Sequence, residues 1–331
     1  MPSGQTLRQL IKSGAVLGNE DFTRAAEQII HEEREKHHHL LANDLERILY
    51  GARPLLSKSR AERSLSVPRD RERDLPLVEL HVPVRSLKDA VLSDVNLAVV
   101  EELLLEQNRV DVLASYGLRP LNRLLFCGPP GCGKTLTAEV IALELSLELV
   151  IVRFDAVVSS FLGETAANLR KVFDFLSEGH FVALFDEFDA IGKERDNAGE
   201  HGELKRVVNS VLQMMDSYRG NSLLVAATNH ERMLDRAIWR RFDEVLLFEK
   251  PSFEQIRTLF TIKLRGVRHD LPLDDRVFVN EFTEFAHADI ERILIRSIKS
   301  MVLRGREFLT PDMVMDAKRR EESRASIGPR S

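Results

Sequence analysis

The sequence has 331 residues, of which 44% are hydrophobic and 30% charged, as in ordinary globular proteins of two or three domains. Its net charge of −5 excludes bulk electrostatic attraction as a reason to bind nucleic acid. No stretch is apolar and long enough to span a bilayer, the N-terminus has no apolar signal-peptide segment, and two cysteines are too few for a disulfide framework. We therefore expect a cytoplasmic protein that neither inserts into a membrane nor binds nucleic acid.

The first 50 residues predict a small helical domain. Three apolar stripes at helical spacing indicate three short helices, formed around Leu7, Leu10 and Ile11; around Phe22, Ala25, Ala26, Ile29 and Ile30; and around Leu41, Leu45, Ile48 and Leu49. No catalytic pattern occurs there, so we interpret residues 1–50 as an adaptor or docking domain. His31 and the run His37–His39 favour a solvated turn over a metal site, since adjacent histidines cannot share one face of a helix.

Residues 51–76 predict a flexible, mildly basic linker. Apolar periodicity is lost there, and Pro54 and Pro68 interrupt regular structure. Arginine and lysine outnumber aspartate and glutamate, but no aromatic residue is interleaved with them. A stacking contact with single-stranded nucleic acid is therefore not expected.

A strand, a glycine-rich loop and a helix follow one another in the middle of the chain. The apolar run Leu124–Cys127 predicts a buried strand, and apolar or small residues recur at helical spacing over Leu136–Leu145. Between them GPPGCGKT, residues 128–135, fits the pattern G-x-x-x-x-G-K-[ST]. Glycines let successive backbone N–H groups point at phosphate oxygens, and the helix start adds a positive field. A chance glycine-rich turn is the alternative, which the flanking strand and helix disfavour.

This loop predicts a nucleotide site. We expect Lys134 to reach the terminal phosphates and the Thr135 hydroxyl to bind Mg2+. The residues expected to contact the nucleotide are Gly128, Pro129, Pro130, Gly131, Cys132, Gly133, Lys134, Thr135 and Leu136. Cys132 has two interpretations: a thiol whose pKa the loop amides lower, acting as a redox brake on nucleotide binding, or a tolerated residue at a variable position.

Three acidic residues closely follow a second buried strand. Phe181–Phe185 (FVALF) is apolar throughout, as expected of a strand covered on both faces of a parallel sheet. Asp186, Glu187 and Asp189 lie just past its carboxyl end, where ligands bind in open α/β sheets. We predict that Asp186, with Thr135, holds Mg2+, and that Glu187 orients and deprotonates an attacking water. A solvated acidic loop is the alternative.

Together these segments resemble the AAA ATPases over roughly Leu87 to Ala325. The run VAATNHERMLDRAIWRRFD, Val225–Asp243, is similar to the second region of homology of that family. The resemblance implies an α/β fold, with a parallel sheet flanked by helices over residues 77–249 and a C-terminal helical lid over residues 250–331. It also implies ATP and Mg2+ as cofactors and ATP hydrolysis as the activity.

The second region of homology implies further catalytic residues. The predicted strand Leu223–Ala227 leads to Asn229, which matches the family's polar sensor of the γ-phosphate and the attacking water. Arg240 and Arg241 match paired arginines that reach the site of the neighbouring subunit, where an arginine stabilises the charge that develops in phosphoryl transfer. Arginines acting in trans imply a homo-oligomeric ring, which we expect to be a hexamer. The expected catalytic residues are Lys134, Asp186, Glu187, Asn229, Arg240 and Arg241.

The segment Ser159–Phe173 resembles the part of AAA unfoldases that lines a central pore. Phe161, Leu162 and Gly163 match the aromatic, apolar and glycine tip of the pore loop, where an exposed aromatic would hold an extended chain with little sequence preference. The alternative is that Phe161 is a core residue at the start of a helix. A second pore loop would fall at Asn197–Gly202, a composition that also suits any mobile surface loop.

Several positions depart from the family pattern around the adenine base. Asp89-Ala90-Val91 is the nearest match to an Asp-Ile-Gly-Gly element and lacks glycine. Lys263 stands where many relatives have a histidine that faces adenine, and Ala288-Asp289 stand where clamp loaders and initiators have an arginine. The residues therefore support phosphate chemistry better than they support adenine selectivity.

The lid is predicted to contain four helices. Apolar periodicity indicates helices over Phe253–Leu264, Val277–Phe285 and Asp289–Leu303, and Thr310 followed by Pro311 is typical of a helix start. We expect the polar tail after Glu321 to be frayed.

These features predict a ring-forming ATPase that remodels or threads protein. The whole layout resembles small bacterial AAA ATPases encoded beside subtilisin-like serine peptidases, some linked to phage defence, with the closest likeness in NEDFTRAAEQIIHEEREKH and GETAANLR. This likeness implies such a peptidase as one candidate for the protein contacted by the pore and the N-terminal domain. Two other functions stay open: a nucleotide-gated switch that controls docking of a partner, and a DNA-directed loader, which Phe161 in the pore pattern disfavours.

Overall fold

The computed structural model of the chain describes residues 66–71, 74–157, 162–188, 210–229 and 236–327, together with Ile29. The chain divides into two units, Met1–Ser64 and Leu65–Ser331, and the fold described below is that of the second. The predicted N-terminal helices, most of the predicted linker, Phe161 and the segment Asn197–Gly202 lie outside the described residues, so these interpretations stay predictions.

Six strands form one sheet in the second unit: β1 Val78–His81, β2 Arg123–Cys127, β3 Glu148–Val152, β4 Phe181–Phe185, β5 Leu223–Thr228 and β6 Glu244–Leu247. Their order across the sheet is β1-β3-β4-β5-β2-β6. β1 pairs antiparallel with β3, and the other neighbouring strands pair in parallel. The predicted α/β class is confirmed. β4 has the predicted bounds, while β2 begins at Arg123 and β5 extends to Thr228.

Helices connect the strands of this sheet. They are α1 Asp94–Gln107, α2 Val110–Ser115, α3 Lys134–Glu144, α4 Phe154–Val157, α5 Leu162–Glu178 and α6 Arg236–Trp239, with a further helical stretch over residues 210–217. The start of α1 is well defined, because the Ser93 side chain accepts a hydrogen bond from the backbone N–H of Asn96.

Side chains of the sheet alternate between two apolar layers. In β2, Leu125 and Cys127 pack on one face while Leu124 and Phe126 pack on the other, as the two-residue period of a strand requires. The first face is covered by α5 and the stretch 210–217, and the second by α1 and α3. Every residue of β4 and β5 is buried, which explains why these strands are apolar throughout.

Four helices follow the sheet and form the lid: α7 Phe253–Lys263, α8 Arg276–Asn280, α9 His287–Leu303 and α10 Pro311–Ile327. They have an apolar core of their own, in which the Phe260 ring contacts those of Phe278 and Phe282 at centroid distances of 6.2 and 5.1 Å. α7 begins with a reciprocal cap between Ser252 and Gln255, and α10 begins at Pro311 as predicted.

Two predictions about the lid were wrong in detail. α8 ends at Asn280 rather than Phe285, because the backbone continues in tighter bonds, from Glu281 N to Phe278 O at 3.3 Å and from Phe282 N to Val279 O at 3.1 Å. The predicted fraying after Glu321 does not occur up to Ile327, the last described residue, since α10 continues to that point.

The continuation of α10 has a tertiary cause. The Glu321 side chain is only 6% exposed and accepts hydrogen bonds from Arg292 at 3.0 Å and from Arg296 at 3.4 Å, both on α9. Arg324, one turn further along α10, adds a third contact at 3.3 Å. A buried carboxylate with several arginine partners ties the last turns of α10 to α9.

Candidate functional site

The glycine-rich loop, residues 128–133, joins β2 to α3. Gly128 has a φ of 142°, and a Cβ atom there would lie 1.9 Å from the carbonyl oxygen of Phe248. Only glycine fits so close to the chain that follows β6. Gly133, with a φ of 99°, stands at the cap of α3 in the left-handed region. The loop therefore opens directly into a helix N-terminus, as a phosphate-binding loop must.

Lys134, the first residue of α3, is buried, with 6% of its surface exposed. Its ammonium group donates to the carbonyl oxygens of Gly128 at 2.6 Å and Pro129 at 2.9 Å, and to Oδ1 of Asn229 at 2.8 Å. Because a buried ammonium group needs acceptors around it, these contacts hold the cation inside the loop. Lys134 and Asn229, both predicted as catalytic, are thus neighbours.

Thr135 and Asp186 come together beyond the carboxyl end of β4. The Thr135 hydroxyl donates to Oδ2 of Asp186 at 3.0 Å. Hydroxyl and carboxylate oxygens are the kind of ligand that Mg2+ takes, so this pair fits the predicted metal.

Glu187 stands beside this pair in a conformation that is unfavourable for a residue with a side chain. Its φ is 52°, and its N–H donates to Oδ1 of Asp186 at 2.8 Å. Its carboxylate is exposed. Such strained residues occur at functional sites where the surrounding chain over-determines the backbone, and Glu187 is in contact with the cavity described below.

Parallel pairing explains why residues so distant in sequence meet. β5 lies between β4 and β2, with Phe185 opposite Ala226 and Cys127 opposite Thr228. The three strands therefore end at one edge of the sheet, where open α/β sheets bind ligands. The phosphate loop, the acids and Asn229 each directly follow one of these ends.

A cavity of about 400 Å3 extends from the phosphate loop to the lid. The loop end is lined by Gly131, Gly133, Lys134, Thr135, Asp186, Glu187 and Asn229. The lid end is lined by Val91, Leu92, Leu259, Lys263, His287 and Glu291. A cavity of this volume is within the range of small-molecule sites, and its two ends differ in character.

The charged groups at the lid end are paired with one another or with the backbone. Lys263 Nζ lies 2.6 Å from Oε1 of Glu291. Asp89 accepts hydrogen bonds from the Ser86 N–H at 3.0 Å and from its hydroxyl at 2.9 Å, and these bonds lower the pKa of Asp89. Sequence reasoning had named Asp89 and Lys263 as departures from a pattern, and both do line the cavity.

Sequence reasoning missed His287, the first residue of α9. Both of its ring nitrogens are buried and have no hydrogen-bond partner among the described residues. Burial lowers the pKa of His287, so the ring is neutral at pH 7. The only signal in the sequence was its position directly before Ala288 and Asp289, since nothing local distinguishes it from an exposed histidine.

Comparison with known proteins agrees with this geometry. Residues 124–250 match the model of the ATPase family associated with various cellular activities (AAA). A relative from Sinorhizobium fredii (strain NBRC 101917 / NGR234), described as the uncharacterized AAA family ATPase y4kL, is 39% identical over 333 residues, which cover 99% of this chain and 99% of the relative. The chain belongs to the AAA family of ATPases. Its matched segment contains the phosphate loop, the acids after β4, Asn229 and both arginines.

AAA ATPases bind ATP and typically Mg2+, and the site of this AAA protein fits both groups. The loop conformation and the buried Lys134 suit a triphosphate, and the Thr135 and Asp186 oxygens suit the metal.

Cys132 in this AAA protein is a buried thiol. It is 3% exposed, and burial raises the pKa of its thiol, with the nearby charge of Lys134 opposing this only in part. Desolvation of the thiolate thus outweighs the lowering effect that the redox-brake interpretation requires. This result favours the interpretation of Cys132 as a tolerated residue.

The two arginines after α6 differ in their surroundings. Arg241 Nε lies 2.9 Å from Oδ2 of Asp216, in the helical stretch 210–217 of the same chain. Arg240 is exposed and makes no hydrogen bond or ion pair with the described residues. Arg240 and Arg241 are therefore not equivalent within one subunit.

The structure describes only the backbone at the end of the predicted pore loop. α5 begins at Leu162 and includes Gly163, and the side chains of these two residues and the whole of Phe161 are outside what the structure describes. The pore assignment stays a prediction. In the described part of this AAA protein, no helix combines the length and apolar character needed to cross a membrane.

Proposed function

We propose that this AAA protein hydrolyses ATP with Mg2+, works as a homo-oligomeric ring, and uses hydrolysis to remodel or thread a protein. The observation that carries the catalytic part is the convergence of Lys134, Thr135, Asp186, Glu187 and Asn229 on one end of a single cavity. Their chemical types are those that phosphoryl transfer to water requires: a cation, metal ligands, a base and a polar positioning group.

Each side chain has a role that follows from its position. Lys134 binds the terminal phosphates, whose charged oxygens are stronger acceptors than the loop carbonyls that it contacts here. Thr135 and Asp186 hold Mg2+, which neutralises phosphate charge when it is bound. Glu187 accepts the proton of the attacking water, and Asn229 orients that water and the γ-phosphate.

Arg240 and Arg241 act on the site of the neighbouring subunit. The exposure of Arg240, without a partner among the described residues, supports this role, because an arginine that completes another subunit's site must be accessible on its own. The ion pair of Arg241 with Asp216 supports a second function for that residue, which is to fix the chain that carries Arg240. Hydrolysis is then coupled to assembly, with a hexamer as the expected ring.

Protein is the proposed substrate class, on the strength of the sequence pattern Phe161-Leu162-Gly163. An aromatic tip followed at once by the start of α5 suits a loop that holds an extended chain. The partner would be contacted through this loop and the N-terminal residues, and a subtilisin-like peptidase is one candidate.

The proposal is tested by measuring phosphate release from ATP by the full chain, with Mg2+ and with a chelator, alongside light scattering to determine the mass of the assembly. We expect sustained Mg2+-dependent turnover, lost in Lys134→Ala, and a ring-sized assembly in ATP. ATP binding without repeated turnover would instead support a nucleotide-gated switch. Full turnover by a monomer would contradict the ring.

A further inference from the structure

Two buried phenylalanine rings meet between the acids after β4 and the arginines after α6. Phe188 directly follows Glu187 in the chain and is 1% exposed. Phe242 directly follows Arg241 and is 8% exposed. The two ring centroids lie 6.4 Å apart at an interplanar angle of 85°, which is an edge-to-face contact. The roles proposed above use neither ring, although each ring belongs to the neighbour of a residue that they do use.

The chain that carries Phe242 is fixed to the sheet just beyond the ring. The next residue, Asp243, donates its N–H to the carbonyl oxygen of Arg123 at 2.9 Å. Its Oδ2 accepts the N–H groups of Asn122 and Arg123, each at 3.0 Å. The exposed Arg240 thus precedes a segment that is held by its side-chain packing and by its bonds to β2.

Phe188 is held in the same apolar layer from the other side. Its ring lies 6.4 Å from that of Phe154, and the Phe154 ring lies 6.2 Å from that of Phe185, the last residue of β4. Because one rigid peptide unit joins consecutive residues, the placement of the Phe188 ring restrains the backbone of Glu187.

We infer that Phe188 and Phe242 are positioning residues, whose contact holds Arg240 in a set geometry relative to Glu187 of the same chain. This inference rests on the proposed function, in which Glu187 acts at the site of its own subunit and Arg240 at the site of the neighbour. A packed contact between them couples the geometry of two successive sites. Interiors at this packing density transmit displacement, and a ring has few rotamers through which to absorb it.

The substitution Phe242→Leu tests the inference in the full chain, because it removes the ring and leaves the position apolar. We expect kcat for ATP to fall at least about tenfold, since a displaced Arg240 no longer meets the neighbour's γ-phosphate, and Kd for Mg-ATP to stay unchanged. Phosphate release and calorimetry measure the two quantities, and light scattering verifies assembly. If Phe242→Leu does not fold, Phe242→Met is measured with the same expectation.

The matched control is Phe175→Leu. Phe175 belongs to the same apolar layer and stacks on Phe181 at 5.2 Å, at the end of β4 opposite to the acids. This variant loses a buried ring and should therefore melt at a lower temperature, as Phe242→Leu does, but its kcat should be unchanged.

Two further measurements separate positioning from a loss of structure. Subunits with Lys134→Ala retain Phe242 and a correctly placed Arg240, so in mixed rings they should partly restore hydrolysis at the loops of Phe242→Leu subunits. A neighbour cannot repair a general structural defect. Combining Phe188→Leu with Phe242→Leu should lower kcat by less than the product of the two single effects, because both changes remove one contact.

Three results would overturn the inference and leave the proposed function intact. They are a kcat for Phe242→Leu equal to that of Phe175→Leu, single effects that multiply in the double variant, and no restoration of Phe242→Leu in mixed rings that do restore Arg240→Ala. Full turnover by Arg240→Ala would instead overturn the proposed role of that arginine, and the inference with it.

Discussion

Nζ of Lys134 lies 2.8 Å from Oδ1 of Asn229, a residue 95 positions further along the chain. The contact joins the phosphate loop to the end of β5, the strand between β2 and β4. Asn229 thereby stands between the cation of the loop and the acids that follow β4. In this position the Asn229 side chain contacts the Lys134 ammonium group directly, so its contacts depend on whether that group binds the protein or a phosphate. This gives the predicted sensor role a physical basis.

Lys134→Ala is expected to weaken ATP binding by about 100-fold or more, equivalent to about 3 kcal/mol, because the phosphates lose their main charged donor. Calorimetric titration with Mg-ATP measures the change. Lys299→Ala is the control, since Lys299 is an exposed lysine on α9 and its removal changes the net charge equally. Unchanged affinity in Lys134→Ala would mean that the loop is not the phosphate site.

Glu187→Gln is expected to bind Mg-ATP normally and to hydrolyse it at least about 100-fold more slowly, because the amide retains the shape of the side chain and cannot accept a proton. Phosphate release and calorimetry on one preparation separate the two effects. Glu178→Gln, an exposed change at the end of α5, controls for the loss of one negative charge. Normal turnover by Glu187→Gln would refute the assignment of this residue as the base.

Arg240→Ala and Arg241→Ala are both expected to abolish hydrolysis and to leave ATP affinity unchanged. They should differ in stability. Arg241→Ala also loses the ion pair with the half-exposed Asp216, worth at most about 1 kcal/mol, and Asp216→Ala should reproduce that loss. Arg240→Ala should melt like the wild type, because this exposed side chain loses no hydrogen bond or ion pair with the described residues.

Mixed rings test whether the arginines act in trans. Subunits with Lys134→Ala retain both arginines, so they should partly restore hydrolysis at the intact loops of Arg240→Ala subunits. If mixed rings form and no mixing ratio restores activity, the trans-acting model is wrong.

Cys132 and Cys127 are expected to resist alkylation in the folded protein, since both are buried and the pKa of Cys132 is raised. Mass spectrometry after iodoacetamide treatment should find almost no adduct under native conditions and two adducts after unfolding in urea. Rapid modification of Cys132 in the native protein, with loss of ATP binding, would instead support the interpretation of Cys132 as a redox brake on nucleotide binding.

Phe161→Ala is expected to leave basal hydrolysis, assembly and melting temperature unchanged and to abolish ATP-driven action on a protein partner. If Phe161 is instead a core residue, its truncation costs about 3–5 kcal/mol and the melting temperature falls clearly. Measuring basal hydrolysis, assembly, melting temperature and action on the partner with one preparation distinguishes the pore-loop role from the core-residue role. Unimpaired action on the partner would also defeat the pore assignment.

Much of the nucleotide site was predictable because its signals are local. The apolar run Phe181–Phe185 became β4 with the predicted bounds, and GPPGCGKT became a turn into a helix. The sequence left the direction of the Cys132 pKa shift open, because that direction depends on how much of the surrounding chain excludes water from the thiol. The predicted fraying between Glu321 and Ile327 was wrong for a related reason, since the helix there depends on arginines from α9.

The sequence by itself determined the α/β class and the position of the glycine-rich loop between a strand and a helix, because runs of apolar residues and glycine spacing act on neighbouring residues. Only the tertiary structure decided which of the predicted site residues meet. The pairing of Thr135 with Asp186, the separate surroundings of Arg240 and Arg241, and the buried unpaired ring of His287 arise between elements far apart in the chain. Such contacts depend on strand order and on how the lid packs on the loop, and no local pattern encodes either of these.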